Sequence, residues 1–205
     1  MDILPADEQG IGRALTVIRE GGIVAHATET CYGFACDVSD LGAVANLFVL
    51  KNRPYSSPVS VLFLSVEDAK KYAEWNDEAE ALAKKHLPGP LTLILPLRAD
   101  APLQLYVTPL LSDRSPLTAG VRVSSRPLAL RLVTDFGKPL STTSANFHGF
   151  PNPYSAEEIV AQFKHQPIQP DLILDSGTLP HVPPSTVLDV TKGRGQANIR
   201  RKGGI

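Results

Sequence analysis

The sequence predicts a single α/β domain with a mixed sheet and flanking helices. Segments with helical spacing of apolar residues alternate with β-branched or apolar runs along the whole chain, and no internal repeat is visible. The chain has 205 residues, 43% of them apolar, which is enough for a sizeable core. Because no linker divides it, we predict one domain over residues 1–205.

Composition excludes several classes of protein. Lys and Arg number 20 against 21 Asp and Glu, so a basic excess typical of sequence-independent nucleic-acid binding is missing and any anion site must be local. Two cysteines, Cys31 and Cys36, make no disulfide framework, which indicates a reducing cytoplasm. No apolar run approaches the ~20 residues of a membrane span, and the acidic start is unlike a signal peptide. We therefore expect a cytoplasmic protein.

The first half of the chain predicts four helices and three strands. The helices are expected at 11–18, 40–50, from the Ser65 cap through Tyr72, and at 78–86, and the strands at 23–25, 59–64 and 91–97. Gly21 ends the first helix and Pro54 prevents the second from continuing. The polar residues 28–30 then fall at the carboxyl end of the first strand, where open α/β sheets place ligands.

The second half predicts shorter elements. Residues 99–115 show no clear period. Strands are expected at 119–123, 140–142, 172–174, 186–190 and 198–201, and helices after Pro127 and after the Ser155 cap. Between them, residues 143–154 form a loop rich in Ser, Asn, Gly and Pro.

Five polar loops share hydroxyl, amide or fixed cationic groups beside a strand or helix end. They are residues 28–32, 51–57, 118–122, 141–146 and 185–186. These groups bind carboxylate and phosphate oxygens. Each loop alone is better explained by side chains that satisfy turn backbones. Five together favour an anionic ligand.

Lys51 and Arg53 are two residues apart at a helix exit, so both could reach one polyphosphate. The alternative is a solvated helix end, because the helix dipole already favours cations there by ~0.3–1 kcal/mol. The basic stretch after Asp189 leaves a similar choice. It could touch nucleic acid, close over a nucleotide or stay solvated, and its cations are Lys192, Arg194, Arg200, Arg201 and Lys202.

Common catalytic and phosphate-binding motifs are missing. There is no Walker loop, and the Gly193–Gly195 stretch is too short for a dinucleotide fingerprint. The five histidines lack metal-ligand spacing, no serine lies in a nucleophile elbow, and neither cysteine has a nearby histidine in sequence. We therefore assign no protein-held metal and no catalytic acid, base or nucleophile.

Six short motifs, in order, carry a resemblance to a known family. They are Ala27–Gly33 (ATETCYG), Lys51–Pro54 (KNRP), Pro88–Thr92 (PGPLT), Gly120–Val123 (GVRV), Ser144–Asn146 (SAN) and Ser185–Val187 (STV). In this order and spacing the chain resembles the YrdC-like family of threonylcarbamoyl-adenylate synthases, from about Gly21 to the end. Because it stops at Ile205, it resembles the short single-domain form.

The resemblance implies a nucleotidyltransferase with a twisted mixed sheet and a concave basic cavity. Such enzymes make threonylcarbamoyl-AMP and pyrophosphate from L-threonine, bicarbonate and ATP, the first step toward the threonylcarbamoyladenosine (t6A37) of tRNA. By motif, the threonine contacts would be Thr30, Tyr32, Arg122, Thr142 and Ser185. The ATP contacts would be Lys51, Arg53, Ser57, Thr118, Ser144, Asn146, Asn152 and Arg201. Arg201 is chosen over Arg200 because it precedes Gly203 by two residues.

The implied chemistry needs no catalytic base, because a carbamate is already an oxyanion and can attack the α-phosphate. Arg122 would fork onto the threonine carboxylate, and Mg²⁺ would arrive with ATP. The implied partners are a downstream tRNA threonylcarbamoyl transferase and, through a weak contact, tRNA. One alternative is an RNA-binding module of the same fold without synthase activity, and another is a carbamoyl-transfer accessory of the kind found inside hydrogenase-maturation proteins. The net charge of -1 argues against RNA as the main ligand.

Overall fold

A ten-stranded mixed sheet with helices on both faces makes up the computed structural model, which describes residues 1–108, 117–193 and 195–205. The strands are β1 (Asp2–Pro5), β2 (Val24–Ala27), β3 (Tyr32–Ala35), β4 (Ser60–Leu62), β5 (Leu91–Pro96), β6 (Thr118–Arg122), β7 (Leu140–Ser144), β8 (Leu172–Asp175), β9 (Thr186–Asp189) and β10 (Asn198–Arg201). The helices are α1 (Glu8–Arg19), α2 (Leu41–Lys51), α3 (Val66–Ala69), α4 (Asp77–His86), α5 (Pro127–Phe136) and α6 (Ala156–Phe163).

The strand order is β1-β8-β2-β3-β7-β4-β6-β5-β9-β10. Parallel pairs join β1 to β8, β8 to β2, β4 to β6 and β5 to β9, and the other neighbours are antiparallel. The antiparallel pairing of β7 with both β3 and β4 joins the two halves of the sheet. This pairing places Ser144 opposite Gly33 and Thr142 opposite Ser60.

Helix ends form where the sequence supplies capping groups. Asp7 and Asp40 accept hydrogen bonds from the first-turn amides of α1 and α2, and Ser155 accepts from Glu158 at the start of α6. At the end of α2, Asn52 adopts a left-handed conformation with φ of 49°, the geometry that stops a helix without glycine. The chain therefore turns sharply directly after Lys51.

Side-chain alternation along the strands separates three packed clusters. In β2, Val24 packs with α1 and α5, whereas Ala25 packs with α2 and α6 on the other face. In β6, Ala119 and Val121 belong to the third cluster, beside α3 and α4. Their neighbours Thr118, Gly120 and Arg122 in β6 point the opposite way and line a cavity.

The predicted α/β fold with a mixed sheet is confirmed, and the positions of most elements agree with the sequence patterns. Two strands, β1 and β3, were not predicted. β1 is a sheet edge that carries an aspartate and a proline, residues that are depleted in strands. β3 is buried on both faces and includes Gly33, so it lacks the alternation that identifies a strand.

Part of the segment 99–115 that showed no period, and Arg194 of the basic stretch, lie outside the described residues. Among the residues that the structure describes, no helix is long and apolar enough to cross a membrane.

Two glycines of α1 make a matched pair for testing how this helix packs. A Cβ at Gly10 would lie 2.0 Å from the carbonyl oxygen of Pro5, whereas a Cβ at Gly12 would meet nothing within 4 Å. We expect Gly10→Ala to lower the free energy of unfolding by about 1–3 kcal/mol, because α1 must shift from β1. Gly12→Ala should raise it by about 0.5–1 kcal/mol through helix propensity. Chemical denaturation measures both, and equal effects of the two substitutions would contradict this packing.

Candidate anion-binding site

A cavity of about 520 Å³ opens on the face of β5 and β6 that lies opposite the apolar cluster of α3 and α4. Its floor is made by alternate residues of β5 and β6, which point away from the apolar cluster on the opposite face. The end of α2, the loop after β7 and the start of β9 form its walls. All but two of the sequence-predicted binding residues line it: Thr30, Lys51, Arg53, Thr118, Arg122, Thr142, Ser144, Asn146, Asn152, Ser185 and Arg201. Their individual roles remain predictions.

Tyr32 and Ser57 are the two predicted residues that the structure does not bring to the cavity wall. Tyr32 is fully buried in β3, where its hydroxyl donates to the carbonyl of Gly177 at 2.8 Å and accepts from the amide of Ser176 at 2.8 Å. Ser57 presents its carbonyl to Arg53. Both therefore hold neighbouring loops in place.

Positive charge dominates the cavity. Lys51, Arg53, Arg122 and Arg201 line it, and none of the described lining residues is an aspartate or glutamate. Burial and the charge of Arg201 lower the pKa of Arg53, while burial and the charge of Arg122 lower that of Arg201. These cations repel one another without a nearby carboxylate in the lining, so an anion that entered would relieve the repulsion.

Arg122 is held by an ion pair behind the cavity wall. One of its Nη atoms lies 2.7 Å from a carboxylate oxygen of Glu29 and 3.1 Å from the hydroxyl of Thr30. The hydroxyl of Ser124 donates to the other oxygen of Glu29. Burial raises the pKa of Glu29, but the charge of Arg122 and the bond from Ser124 outweigh it and leave this pKa below 4.5. The predicted two-pronged contact of Arg122 with a ligand carboxylate would thus compete with Glu29 for one nitrogen.

Lys51 is the last residue of α2 and is 1% exposed, not a solvated residue beyond the helix end. Its Nζ donates to the carbonyls of Ser144 and Asn146 and to the side-chain oxygen of Asn146. Burial, together with the charge of Arg53, lowers the pKa of Lys51 to about 7. The ammonium therefore faces its own chain.

Arg53 is half-buried and fixed by the turn that follows it. Its Nε donates to the carbonyl of Ser57 at 2.6 Å, and one Nη donates to the carbonyl of Pro58 at 2.8 Å. The guanidinium also lies 5.9 Å from the ring centroid of Phe48. Its charge is held at the cavity by neutral carbonyl oxygens and so remains uncompensated.

The basic stretch at the end of the chain is divided between two environments. Arg200 pairs with Asp189 at 2.7 Å, away from the cavity lining. Arg201 lines the cavity and donates to the carbonyl of Ser185 at 3.0 Å and to its hydroxyl at 2.8 Å. This placement favours Arg201 over Arg200 as a nucleotide contact, a role that remains a prediction.

Several residues at the site were not among the sequence-predicted contacts. Glu29 lay inside a polar loop that the sequence had singled out, so its charge opposite Arg122 was a usable signal. Thr92 lines the cavity and its hydroxyl lies 3.2 Å from that of Ser185. His148 and Phe150 enter from the 143–154 loop, where no spacing distinguished them from their neighbours.

Metal-ligating groups do not converge in the part of the chain that the structure describes, where no set of three or more His, Cys, Asp or Glu residues could hold an ion. His26 is fully buried, and burial lowers its pKa to about 4. Cys31 reaches the cavity wall as a thiol whose pKa is raised by burial. The site is thus suited to anions.

Comparison with known proteins agrees with this fold. The sequence model of the Sua5/YciO/YrdC family, described as "Telomere recombination", matches residues 16–203, so the chain belongs to this family, as its motifs predicted. A threonylcarbamoyl-AMP synthase of Pyrococcus abyssi is 35% identical over 187 residues, which cover 91% of this chain and 52% of that protein. One from Photorhabdus laumondii is 32% identical, covering 73% of this chain and 77% of its own.

The solved structures extend the likeness to the whole described fold. The structure of Pyrococcus abyssi Sua5 complexed with L-threonine matches with a TM-score of 0.84 and 34% identity, covering 100% of this chain and 57% of that one. Escherichia coli YciO matches with a TM-score of 0.81 and 26% identity, covering 98% and 94%. The chain spans about half the length of the Pyrococcus protein.

The Glu29 ion pair predicts a pH dependence of stability. Because the folded-state pKa of Glu29 lies below 4.5, the pair stabilises the fold above that pH, and this contribution is lost as the pH falls through the folded-state value. We expect Glu29→Gln to lower the free energy of unfolding by about 1–3 kcal/mol at pH 7, with a difference from wild type that narrows below pH 4.5. The measurement is urea unfolding between neutral and acid pH. The exposed Glu20→Gln is the control, and a difference that widened in acid would contradict the pairing.

Proposed function

We propose that this protein is a threonylcarbamoyl-AMP synthase that uses L-threonine, bicarbonate and ATP and releases pyrophosphate. The observation that carries the proposal is the cavity itself, in which four cations and several hydroxyls converge without a lining carboxylate among the described residues. Its volume, about 520 Å³, is within the range of small-molecule sites. The relatives named threonylcarbamoyl-AMP synthase, and the Sua5 complex with L-threonine, support this choice of substrates.

Threonine and ATP would occupy different walls of the cavity. Thr30 and Arg122 lie together, with Thr142 in the same cavity, and they would hold the carboxylate and hydroxyl of threonine with Ser185. The triphosphate would lie toward Arg53 and Arg201, whose charges are balanced only by neutral oxygens. Thr118 and Asn152 would add hydroxyl and amide contacts to the nucleotide.

The proposed reaction depends on positioning and charge neutralisation. The amino group of threonine would combine with bicarbonate to give a carbamate and water. An oxygen of the carbamate would then attack the α-phosphorus of ATP, and the bond from that phosphorus to the bridging oxygen would break to release pyrophosphate. Arg53 and Arg201 would offset the charge of the leaving group. Mg²⁺ held by the phosphates of ATP would add to that neutralisation, since no ligand cluster exists in the described residues. The product would then serve a tRNA threonylcarbamoyl transferase that completes t6A37.

Pyrophosphate release tests the proposal directly. With ATP and Mg²⁺ present, we expect release only when both L-threonine and bicarbonate are added, and formation of threonylcarbamoyl-AMP in equal amount. L-Valine is the matched control, because it lacks the hydroxyl that Thr30, Thr142 and Ser185 would bind. The activation free energy of its reaction should be higher by about 1–3 kcal/mol, so that it reacts more slowly than threonine. Release that needs neither threonine nor bicarbonate would overturn the proposed function.

Arg200 and Arg201 form a matched pair that distinguishes a synthase from an RNA-binding module. Because Arg201 lines the cavity and Arg200 pairs with Asp189, Arg201→Ala should reduce RNA-free pyrophosphate release by about tenfold or more, with little change in Arg200→Ala. If the basic stretch bound RNA instead, both variants would stay active without RNA and would bind RNA more weakly. The slope of log RNA affinity against log salt concentration would then fall by about one for each lost phosphate contact. That second result would contradict the placement of Arg201.

A further inference from the structure

The ammonium of Lys51 donates its hydrogen bonds to one short segment of the chain, and it also lies 5.6 Å from the ring centroid of Phe34. Its three acceptors are the carbonyl of Ser144, the carbonyl of Asn146 at 2.7 Å and the side-chain oxygen of Asn146 at 3.1 Å. An ammonium has three N–H groups, so each of them already has a partner. The backbone adds a fourth link, because the amide of His148 donates to the carbonyl of Lys51 at 2.8 Å.

Asn146 continues the same network. Its side-chain oxygen also accepts from the hydroxyl of Ser144 at 2.7 Å, and its side-chain nitrogen donates to the carbonyl of Phe150. The sequence motifs predicted three of these residues as ATP contacts, and the structure shows them hydrogen-bonded to one another: Lys51, Ser144 and Asn146. Together they fix the course of residues 144–150, which we call the 144–150 segment, along the wall of the cavity.

We propose that Lys51 is a positioning residue, whose ammonium holds the 144–150 segment in shape and supports ATP binding through that segment, without a contact to the phosphates. The inference rests on the proposed use of ATP. It changes the role suggested by the Lys-Asn-Arg motif, since only Arg53 of that motif would face the nucleotide.

Burial explains why the ammonium must be held in this way. Lys51 is 1% exposed, and an unpaired buried charge costs several kcal/mol, so its three oxygen partners cannot be given up cheaply to reach a phosphate. Arg53 differs, because it is only partly buried and its guanidinium has more donors than the two carbonyls it binds. The geometry therefore separates a cation that shapes the wall from a cation that is available to a ligand.

Hydrogen exchange without any nucleotide tests the structural half of the inference. In Lys51→Met we expect the amides of Ala145, His148 and Phe150 to exchange about tenfold faster than in wild type, after scaling to amides of α5. Arg53→Ala is the matched control and should leave these three rates unchanged. Because a buried Lys→Met change could affect folding, Asn146→Ala is a second variant that releases the same segment from within. Unchanged exchange of the 144–150 segment in both variants would overturn the inference.

ATP titrations and steady-state kinetics test the functional half. Lys51→Met should weaken ATP binding and raise the KM for ATP by about tenfold, with the KM for threonine changed by less than about twofold. Lys51→Met combined with Asn146→Ala should lose little more affinity than the worse single variant, whereas Lys51→Met combined with Arg53→Ala should lose the product of the two single losses. Additive losses in the first pair would overturn the inference.

The outcomes also separate this inference from the proposed function. A wild-type protein that binds no ATP would overturn the proposed function and the ATP half of the inference together. Even then, faster amide exchange of the 144–150 segment in Lys51→Met would support the conclusion that Lys51 positions that segment. If the wild-type protein binds ATP, the exchange of the 144–150 segment is unchanged in Lys51→Met, and the affinity losses of Lys51→Met and Asn146→Ala add, the proposed function stands and only the role of Lys51 is overturned.

Discussion

Four cations share one concave face, and the fold has to hold them together against their mutual repulsion. It does so largely with neutral oxygens: carbonyls of residues 57 and 58 hold Arg53, and the carbonyl and hydroxyl of Ser185 hold Arg201. A carbonyl dipole fixes the direction of a cation without cancelling its charge. Burial lowers the pKa of Lys51, Arg53 and Arg201, because removal from water disfavours their charged forms.

The sheet can hold these charges close together because each central strand contributes to the apolar core on one face and to the cavity on the other. In β6, Ala119 and Val121 pack into the apolar cluster, while Thr118, Gly120 and Arg122 line the cavity. Gly120 allows a close approach of the two strands, since a Cβ there would lie 2.5 Å from the hydroxyl oxygen of Ser60 in β4 and would force that side chain to shift. The period of two along a strand therefore places the charged wall directly behind a well-packed core, so that core packing fixes the positions of the cations.

Sequence reasoning found the fold class and most of the charged and hydroxyl groups of the cavity wall, because polar groups at strand and helix ends are local signals in the sequence. It missed β3, whose residues are buried on both faces and so carry no alternation. It also predicted Lys51 as an ATP contact just beyond the helix end, with a solvated helix end as the alternative, and neither prediction included its burial. Whether a lysine at a helix end faces water or carbonyls depends on the loop after β7, more than ninety residues later, and only the tertiary structure brings the two together. Tyr32 shows the same limit, since its hydroxyl partner Gly177 is distant in sequence.

The partner of Arg122 is the exception to the use of neutral oxygens, and the exception fits two substrates of different charge. Glu29 neutralises Arg122, so that wall of the cavity offers a fixed donor geometry with little net charge, which would suit a zwitterionic amino acid. Arg53 keeps its full charge and faces Arg201 within the same cavity, which would suit a polyphosphate. If both walls were equally positive, a second polyanion could occupy the amino-acid wall. The carboxylate partner of Arg122 would therefore favour an amino acid at that wall of the cavity, and the carbonyl partners of Arg53 and Arg201 would favour a polyphosphate at the other.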